Sequence, residues 1–478
     1  MTGHGVHDVA VIGAGVSGLS TALALLDAAD DGNPATGSVR VSVYESGDRI
    51  GGRIDASPFA GLPHIDAGAD AFLARVPEAV ALATRVGLGD QLVSPEPVGA
   101  AVWHDGLHPI PDGLMLGVPG KLWPMATTGL LSWRGKLRAA AEPLLPRTST
   151  ASDSIGDVVR ARFGDEVHER LVDSLVGSIY AADTDRFSLA EVPQLATLVG
   201  GNRSVLVAAR RQRRAADALP ATATATSGPV FAAPRDGIAA FVTAIATAVT
   251  DAGGVIRSQA PIERLDRVDA GGRTRWVVDG DIHDAVILAT PAHAAAAMLV
   301  DVAGPAAESL ATAETADVIM VTLHVAADEW PDRLRGLSGY LVPKPDQRRV
   351  TAASFGSQKW AHWRPPGGGE ILRVSLGRDG MPVLQLSDDD AVEAVLADLR
   401  HHLGIDISPL EVRVTRWPAA FAQYRPHHAA WVDHVERSLP AGLFVTGAGY
   451  RGIGIPACVR SAAATAGRAS DLLRDLAD

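Results

Sequence analysis

The chain has 478 residues, of which 47% are hydrophobic and 21% charged, with a formal charge of −12 and one cysteine, Cys458. That length accommodates two or three folding units at about 150 residues each, and the composition excludes a disordered chain. The acidic surplus argues against nucleic acid as a partner, and a single cysteine excludes an intrachain disulfide or a Cys-based zinc site. A cytoplasmic setting follows, because the first eight residues lack the basic and apolar regions of a signal peptide. The longest apolar run, Val286 to Val300, contains Pro291 and His293 and falls short of the ~18 to 20 residues of a membrane span.

In chain order, His7–Ile12 is a β-branched run ending in Gly13-Ala14-Gly15-Val16-Ser17-Gly18, and Leu19–Leu26 continues as a helix former. Val39–Tyr44 alternates into a second strand that ends at Glu45. The stretch from Pro77 to Asn202 predicts mostly helix, including Ile155–Ile179, and Arg203–Gly228 reads as an exposed helix end and a loop. Asp236–Val249 has helical periodicity, while Val255–Arg257 and Ala285–Ala289 are short strands that return to the first unit. Val318–Trp417 alternates like sheet, Gly442–Thr446 is a strand, and Pro456–Leu476 is a helix with proline in its first turn. These elements predict an α/β chain with a discontinuous, Rossmann-like dinucleotide-binding domain over 1–76, 229–300 and 417–478. A mostly helical insertion covers 77–228 and a substrate-binding sheet domain 301–416.

Gly-x-Gly-x-x-Gly alone is a weak signal, but here it joins a strand to a helix and an acid ends the next strand. Gly13 permits the tight turn, Gly15 lets backbone approach a pyrophosphate, and Gly18 allows close packing of helix on strand. The helix N-terminus supplies free N–H groups and positive potential, and Glu45 accepts from an adenosine ribose. At this point NAD and FAD both remain open.

The residues after the acid, Glu45-Ser-Gly-Asp-Arg-Ile-Gly-Gly-Arg53, form a second glycine turn carrying an arginine. They resemble the FAD-binding segment of the flavin amine oxidase and protoporphyrinogen oxidase superfamily. Leu443–Cys458 repeats the strand, glycine turn and helix order, and its Gly-Ile-Gly-Ile-Pro-Ala-Cys-Val-Arg-Ser run is similar to the C-terminal signature of the bacterial coproporphyrinogen III oxidase and protoporphyrinogen oxidase family. Asp66–Arg75, Gly177–Leu189 and Arg416–Tyr424 match further blocks of that family in the same order. The chain departs from the family pattern at Ala67-Gly68-Ala69 and at Ala422–His428.

The resemblance implies a glutathione-reductase-like fold and noncovalent FAD, held by Gly13, Ala14, Gly15, Val16, Ser17, Gly18, Glu45, Ser46, Arg53, Gly68, Ala69, Asp70, Ala71, Ile262, Trp417, Gly447, Ile453, Gly454 and Ile455. It implies six-electron oxidation of a porphyrinogen in haem biosynthesis, by hydride transfer from meso carbons to flavin N5, with O2 as acceptor and three H2O2 formed. Coproporphyrinogen III is the expected substrate and protoporphyrinogen IX the near alternative; an amine or a carotenoid would be the substrate in more distant branches. No catalytic side chain is assigned. Arg75, Lys121 and Tyr450 are expected at the substrate, with Arg134, Lys136 and Arg138 as further cations for its propionates. Leu114–Leu131, with Trp123 and the nearby Trp133, could line an apolar pocket or rest on lipid, which makes peripheral membrane contact an expectation. Contact with a ferrochelatase is suggested by the pathway alone. Cys458 reads as a buried thiol. His401-His402 and His427-His428 are adjacent pairs that do not share a face, so no metal is expected, and no Gly-x-Ser-x-Gly elbow appears.

Overall fold

The computed structural model describes residues 6–30, 38–217, 229–270 and 273–477. Its nucleotide-binding domain is built on a parallel sheet of β1 (Val6–Ile12), β2 (Ser38–Tyr44), β3 (Val255–Arg257), β4 (Ala285–Leu288) and β5 (Leu443–Val445), in the order β3-β2-β1-β4-β5. Strands distant in sequence lie side by side, with Val9 opposite Ala285 and Val286 opposite Leu443. A central parallel strand is covered on both faces, and β1 shows it by alternation. Val9 and Val11 join one core with α1 (Val16–Asp30) and α2 (Ile455–Ala477). Ala10 and Ile12 join the other, with Trp276 and the helices Ala292–Leu299 and Gly304–Ala311. Trp276 belongs to an antiparallel sheet of the strands Asp266–Ala270, Arg273–Val278 and Asp281–His283 that the sequence reading did not foresee.

The second sheet has seven strands in the order Glu411–Ala422, Thr315–Val325, Glu370–Leu376, Val350–Phe355, Leu337–Leu341, Gly99–Trp103 and Leu107–Pro109. Helix Asp388–Leu403 packs on it, started by a reciprocal cap between Ser387 and Asp390. The third unit is a helical layer whose core includes Val158, Phe163, Leu171, Val176, Leu195 and Leu206. One of its helices, His168–Gly177, has π geometry, and within it Asp173 pairs with Arg378 of the sheet domain at 2.8 Å. The two side chains are 1% and 5% exposed, so removing either would strand a charge in the interior.

Three expected boundaries shift. The insertion over 77–228 is not only helical: Gly99–Trp103 and Leu107–Pro109 close the edge of the large sheet, and Trp103 Nε1 donates to the carbonyl of His402. Helix Gly304–Ala311 buries Ala306, Ala307 and Leu310 in the nucleotide-binding core, not in the sheet domain. The ladder between Thr315–Val325 and Glu411–Ala422 pairs residues on both sides of Trp417, so no domain ends there. Helix Val205–Asp217 carries the arginine cluster, and the rest of the expected loop, 218–228, lies outside the described residues.

Candidate functional site

β1 delivers the chain into a turn at Gly13, whose φ of +104° suits glycine alone and whose N–H donates to Tyr44 O at 2.7 Å. A side chain on Gly18 would collide with Gly13 O and Ala289 Cβ, so this glycine lets α1 settle on the sheet. Gly15 differs: a Cβ there would meet no protein atom nearer than Gly51 O at 4.0 Å and would fill open space. Glu45, at the end of β2, accepts from Ala14 N and Gly47 N, both at 2.9 Å, and so braces the turn as well as facing the cavity.

The second glycine turn docks on the first through Gly51 N to Ala14 O, 2.9 Å. Arg49 clamps it from behind, donating to Gly52 O at 2.8 Å and Ile54 O at 3.0 Å. Gly51 and Gly52 have φ of +109° and +58°, and together they present Arg53. The Arg53 guanidinium has no hydrogen-bond or ion-pair partner among the described residues. Burial makes its charge costly and pulls its pKa below the usual arginine value, with Cys458 and Tyr424 opposing the shift.

From the far end, β5 leads into the Gly447 turn, with φ +125°. Tyr424 fastens this turn: its hydroxyl donates to Ala448 O at 2.7 Å and accepts from Gly452 N at 3.1 Å. α2 then begins at Ile455 and aims its free N–H groups at the same space. The third wall comes from the large sheet, where Val318, Met320, Trp417, Ala420 and Phe421 project from its first two strands. Trp417 Nε1 donates to Ala67 O at 3.1 Å, and Arg373 donates to Gly68 O. Together these elements enclose a cavity of about 560 Å³. The unpartnered cation, the open space above Gly15, the two helix N-termini and the carboxylate of Glu45 form a donor set that fits a long, phosphate-bearing nucleotide.

Over residues 16–470 the chain matches the family model described as flavin containing amine oxidoreductase. The chain belongs to that family. It is 34% identical to a coproporphyrinogen III oxidase of Mycobacterium tuberculosis, over 95% of both chains. It is 29% identical to one of Bacillus subtilis, over 95% of this chain and 96% of that one. Among solved structures, a candidate protoporphyrinogen oxidase from Exiguobacterium sp. 255-15 superposes with a TM-score of 0.83 at 25% identity, over 97% of this chain and 98% of that one. The cofactor of this oxidoreductase is therefore a flavin.

The oxidoreductase brings Gly13, Gly15, Val16, Ser17, Glu45, Ser46, Arg53, Gly68, Ala69, Ile262, Trp417, Gly447, Ile453 and Ile455 into the cavity wall. Ala14, Gly18, Asp70, Ala71 and Gly454 lie outside it. Ala14 and Gly18 build the turn from beneath, and Ala71 packs against the nucleotide-binding core. The Asp70 carboxylate turns toward the sheet domain, where it binds Lys359 Nζ at 2.8 Å and Trp360 Nε1 at 3.1 Å. Lys359 and Arg373 hold its pKa well below the usual carboxylate range against the opposing, and largest, effect of burial. Gly454 is exposed.

The three expected substrate residues do not line the cavity. Tyr450 is buried, 2% exposed, and stacks on Trp431 with ring centroids 6.3 Å apart. Arg75 and Lys121 are exposed. Arg134 lies over the Trp133 ring, and Arg138 caps the carbonyls of Ala161 and Arg162. Cys458 does border the cavity as a free, buried thiol whose pKa burial pushes up. Among the described residues no group of three His, Cys, Asp or Glu side chains could hold a metal, and no helix is long and apolar enough to cross a membrane.

Sequence reasoning missed Arg49 and the sheet residues Val318, Met320, Ala420 and Phe421. Val318 and Met320 are two apart on one strand and so share a face, but nothing local tells which face meets the nucleotide-binding domain.

Proposed function

We propose that this flavin-dependent oxidoreductase binds FAD noncovalently and oxidises coproporphyrinogen III to coproporphyrin III in haem biosynthesis, passing electrons to O2. The observation that carries the cofactor assignment is Arg53, without a hydrogen-bond or ion-pair partner among the described residues, in a wall that also holds Gly13, Gly15, Val16, Ser17 and Glu45. The substrate assignment rests on the near-full-length similarity to coproporphyrinogen III oxidases. When bound, the flavin supplies a two-electron acceptor. The chain's own residues do the rest: the α1 N-terminus and Arg53 hold phosphate oxygens, and the α2 N-terminus stabilises negative charge beside it. Val318, Met320, Trp417, Ala420 and Phe421 give a large flat substrate an apolar surface to lie on. The buried, protonated Cys458 thiol is a poor nucleophile, which favours noncovalent binding. This reading predicts that acid-released flavin is FAD in 1:1 ratio to protein and that about three H2O2 accompany each porphyrin formed. Flavin remaining on the denatured chain, or porphyrin formed without peroxide, would overturn the respective part.

The same reading includes peripheral contact with an anionic lipid surface. Trp123, Trp133, Leu137 and Leu144 are 77%, 66%, 62% and 83% exposed, and residues 113–141 hold Lys121, Arg134, Lys136 and Arg138 but no Asp or Glu. Apolar rings beside cations suit a membrane interface. Cosedimentation with vesicles containing anionic lipid, lost on Trp133→Ser with Leu137→Ser, is expected; equal sedimentation of both forms would refute it.

A further inference from the structure

Beside the flavin cavity lies a second chamber of about 180 Å³. It shares Arg53, Pro291 and Gly449 with the main cavity but none of Val318, Met320, Ala420 or Phe421. It has about a third of the main cavity's volume, ample for a diatomic gas or a peroxide. Ala292, Ala313, Ala422 and Trp431 supply apolar wall. Most of its polar groups are occupied by protein partners. Arg425 is held by Glu314 and by Asp379, the latter at 2.6 Å, and Trp431 Nε1 donates to Ser309 O at 3.1 Å.

Gln423 Oε1, buried without a partner among the described residues, is one exception and His428 is another. His428 Nε2 lies 2.8 Å from the carbonyl of Tyr450. A carbonyl only accepts, so Nε2 carries the proton, leaving Nδ1 as an acceptor with no partner among the described residues. The ring is sandwiched between Tyr424, centroid 4.0 Å, and Trp431, 5.2 Å, which fixes its plane. The chamber thus offers a neutral acceptor, His428 Nδ1, and H2O2 matches it as a donor.

We propose that this chamber is the passage by which O2 reaches the flavin and H2O2 leaves, separate from the face that receives the macrocycle. The inference rests on O2 being the acceptor. Each two-electron oxidation of the porphyrinogen must then be followed by transfer of two electrons and two protons to O2, giving one H2O2. A passage beside Gly449, which both cavities share in the turn leading to α2, lets that exchange proceed while the tetrapyrrole stays on the sheet face between successive oxidations.

The test uses the full, FAD-loaded chain reduced with dithionite under nitrogen and mixed with O2, following the return of flavin absorbance, for the wild type and two variants with enlarged side chains in the chamber wall, Ala313→Phe and Thr312→Trp. Reoxidation slower by roughly tenfold, a barrier higher by about 1.4 kcal/mol, is expected. Flavin reduction by coproporphyrinogen III under nitrogen and the Kd of the FAD-free chain for FAD should stay as in the wild type. Unchanged reoxidation in a folded, FAD-saturated variant would overturn the passage, as would equal slowing of both half-reactions. Should Ala313→Phe fail to retain FAD, the surface substitution Thr312→Trp decides alone. A wild type that O2 does not reoxidise would instead refute O2 as the acceptor, and with it the passage.

Discussion

A methyl group on Gly15 would point into the open cavity, whereas one on Gly18 would strike Gly13 O. The two glycines of one motif therefore predict opposite phenotypes. Gly15→Val should give a chain of near wild-type Tm that purifies colourless. Gly18→Val should overpack the helix–strand contact and lower stability by about 1–3 kcal/mol or more, read from urea unfolding. A yellow, FAD-saturated Gly15→Val protein would contradict the placement of the phosphates. For Arg53→Ala, loss of charge-assisted hydrogen bonds worth roughly 1.5–3 kcal/mol should raise the FAD Kd by about 10- to 100-fold, measured by fluorescence quenching. These positions are legible in sequence because each sits inside a short motif whose spacing fixes its geometry. The direction of the Asp70 side chain is not legible for the complementary reason: it follows Gly68 in such a block, but Lys359 and Trp360, far along the chain, decide where its carboxylate points.

Elements are held together by buried polar ties that local periodicity does not reveal. Asp70→Ala should leave Lys359 and Arg373 uncompensated and cost about 3–5 kcal/mol while changing FAD affinity little, a pattern that separates a brace from a cofactor contact. His402, on helix Asp388–Leu403, meets the Tyr340 hydroxyl at 3.0 Å. Burial pulls its pKa down to about 4 from 6.5, with smaller and opposing effects of nearby charges. The folded state therefore binds fewer protons there than the unfolded one, so the stability contributed by neutral His402 is present above pH 6.5 and is lost as pH falls toward 4. His402→Gln should flatten that part of the stability profile; an unchanged slope in urea melts between those pH values would show that other groups carry it. The strand Gly99–Trp103 escaped sequence reading because its partner Leu337–Leu341 lies more than two hundred residues away, whereas β1 and α1 are adjacent and announce themselves.

For the whole molecule, the parallel sheet takes strands from both ends of the chain, and β5 and α2 complete the wall that begins at Gly13. Contacts so distant in sequence form cooperatively or not at all. A chain cut before Leu443 should consequently lose native circular dichroism along with flavin, not persist as a folded apoprotein. Three glycine turns flag the cofactor in the sequence and set the expected domain order. The apolar wall of Val318, Met320, Ala420 and Phe421 carries no such flag, since it arises only where the large sheet meets the nucleotide-binding domain. Steady-state porphyrin fluorescence in air, with coproporphyrinogen III and protoporphyrinogen IX each compared against an enzyme-free control, tests the central claim most directly. A higher kcat/KM for coproporphyrinogen III is predicted; oxidation of neither substrate above the control would contradict it.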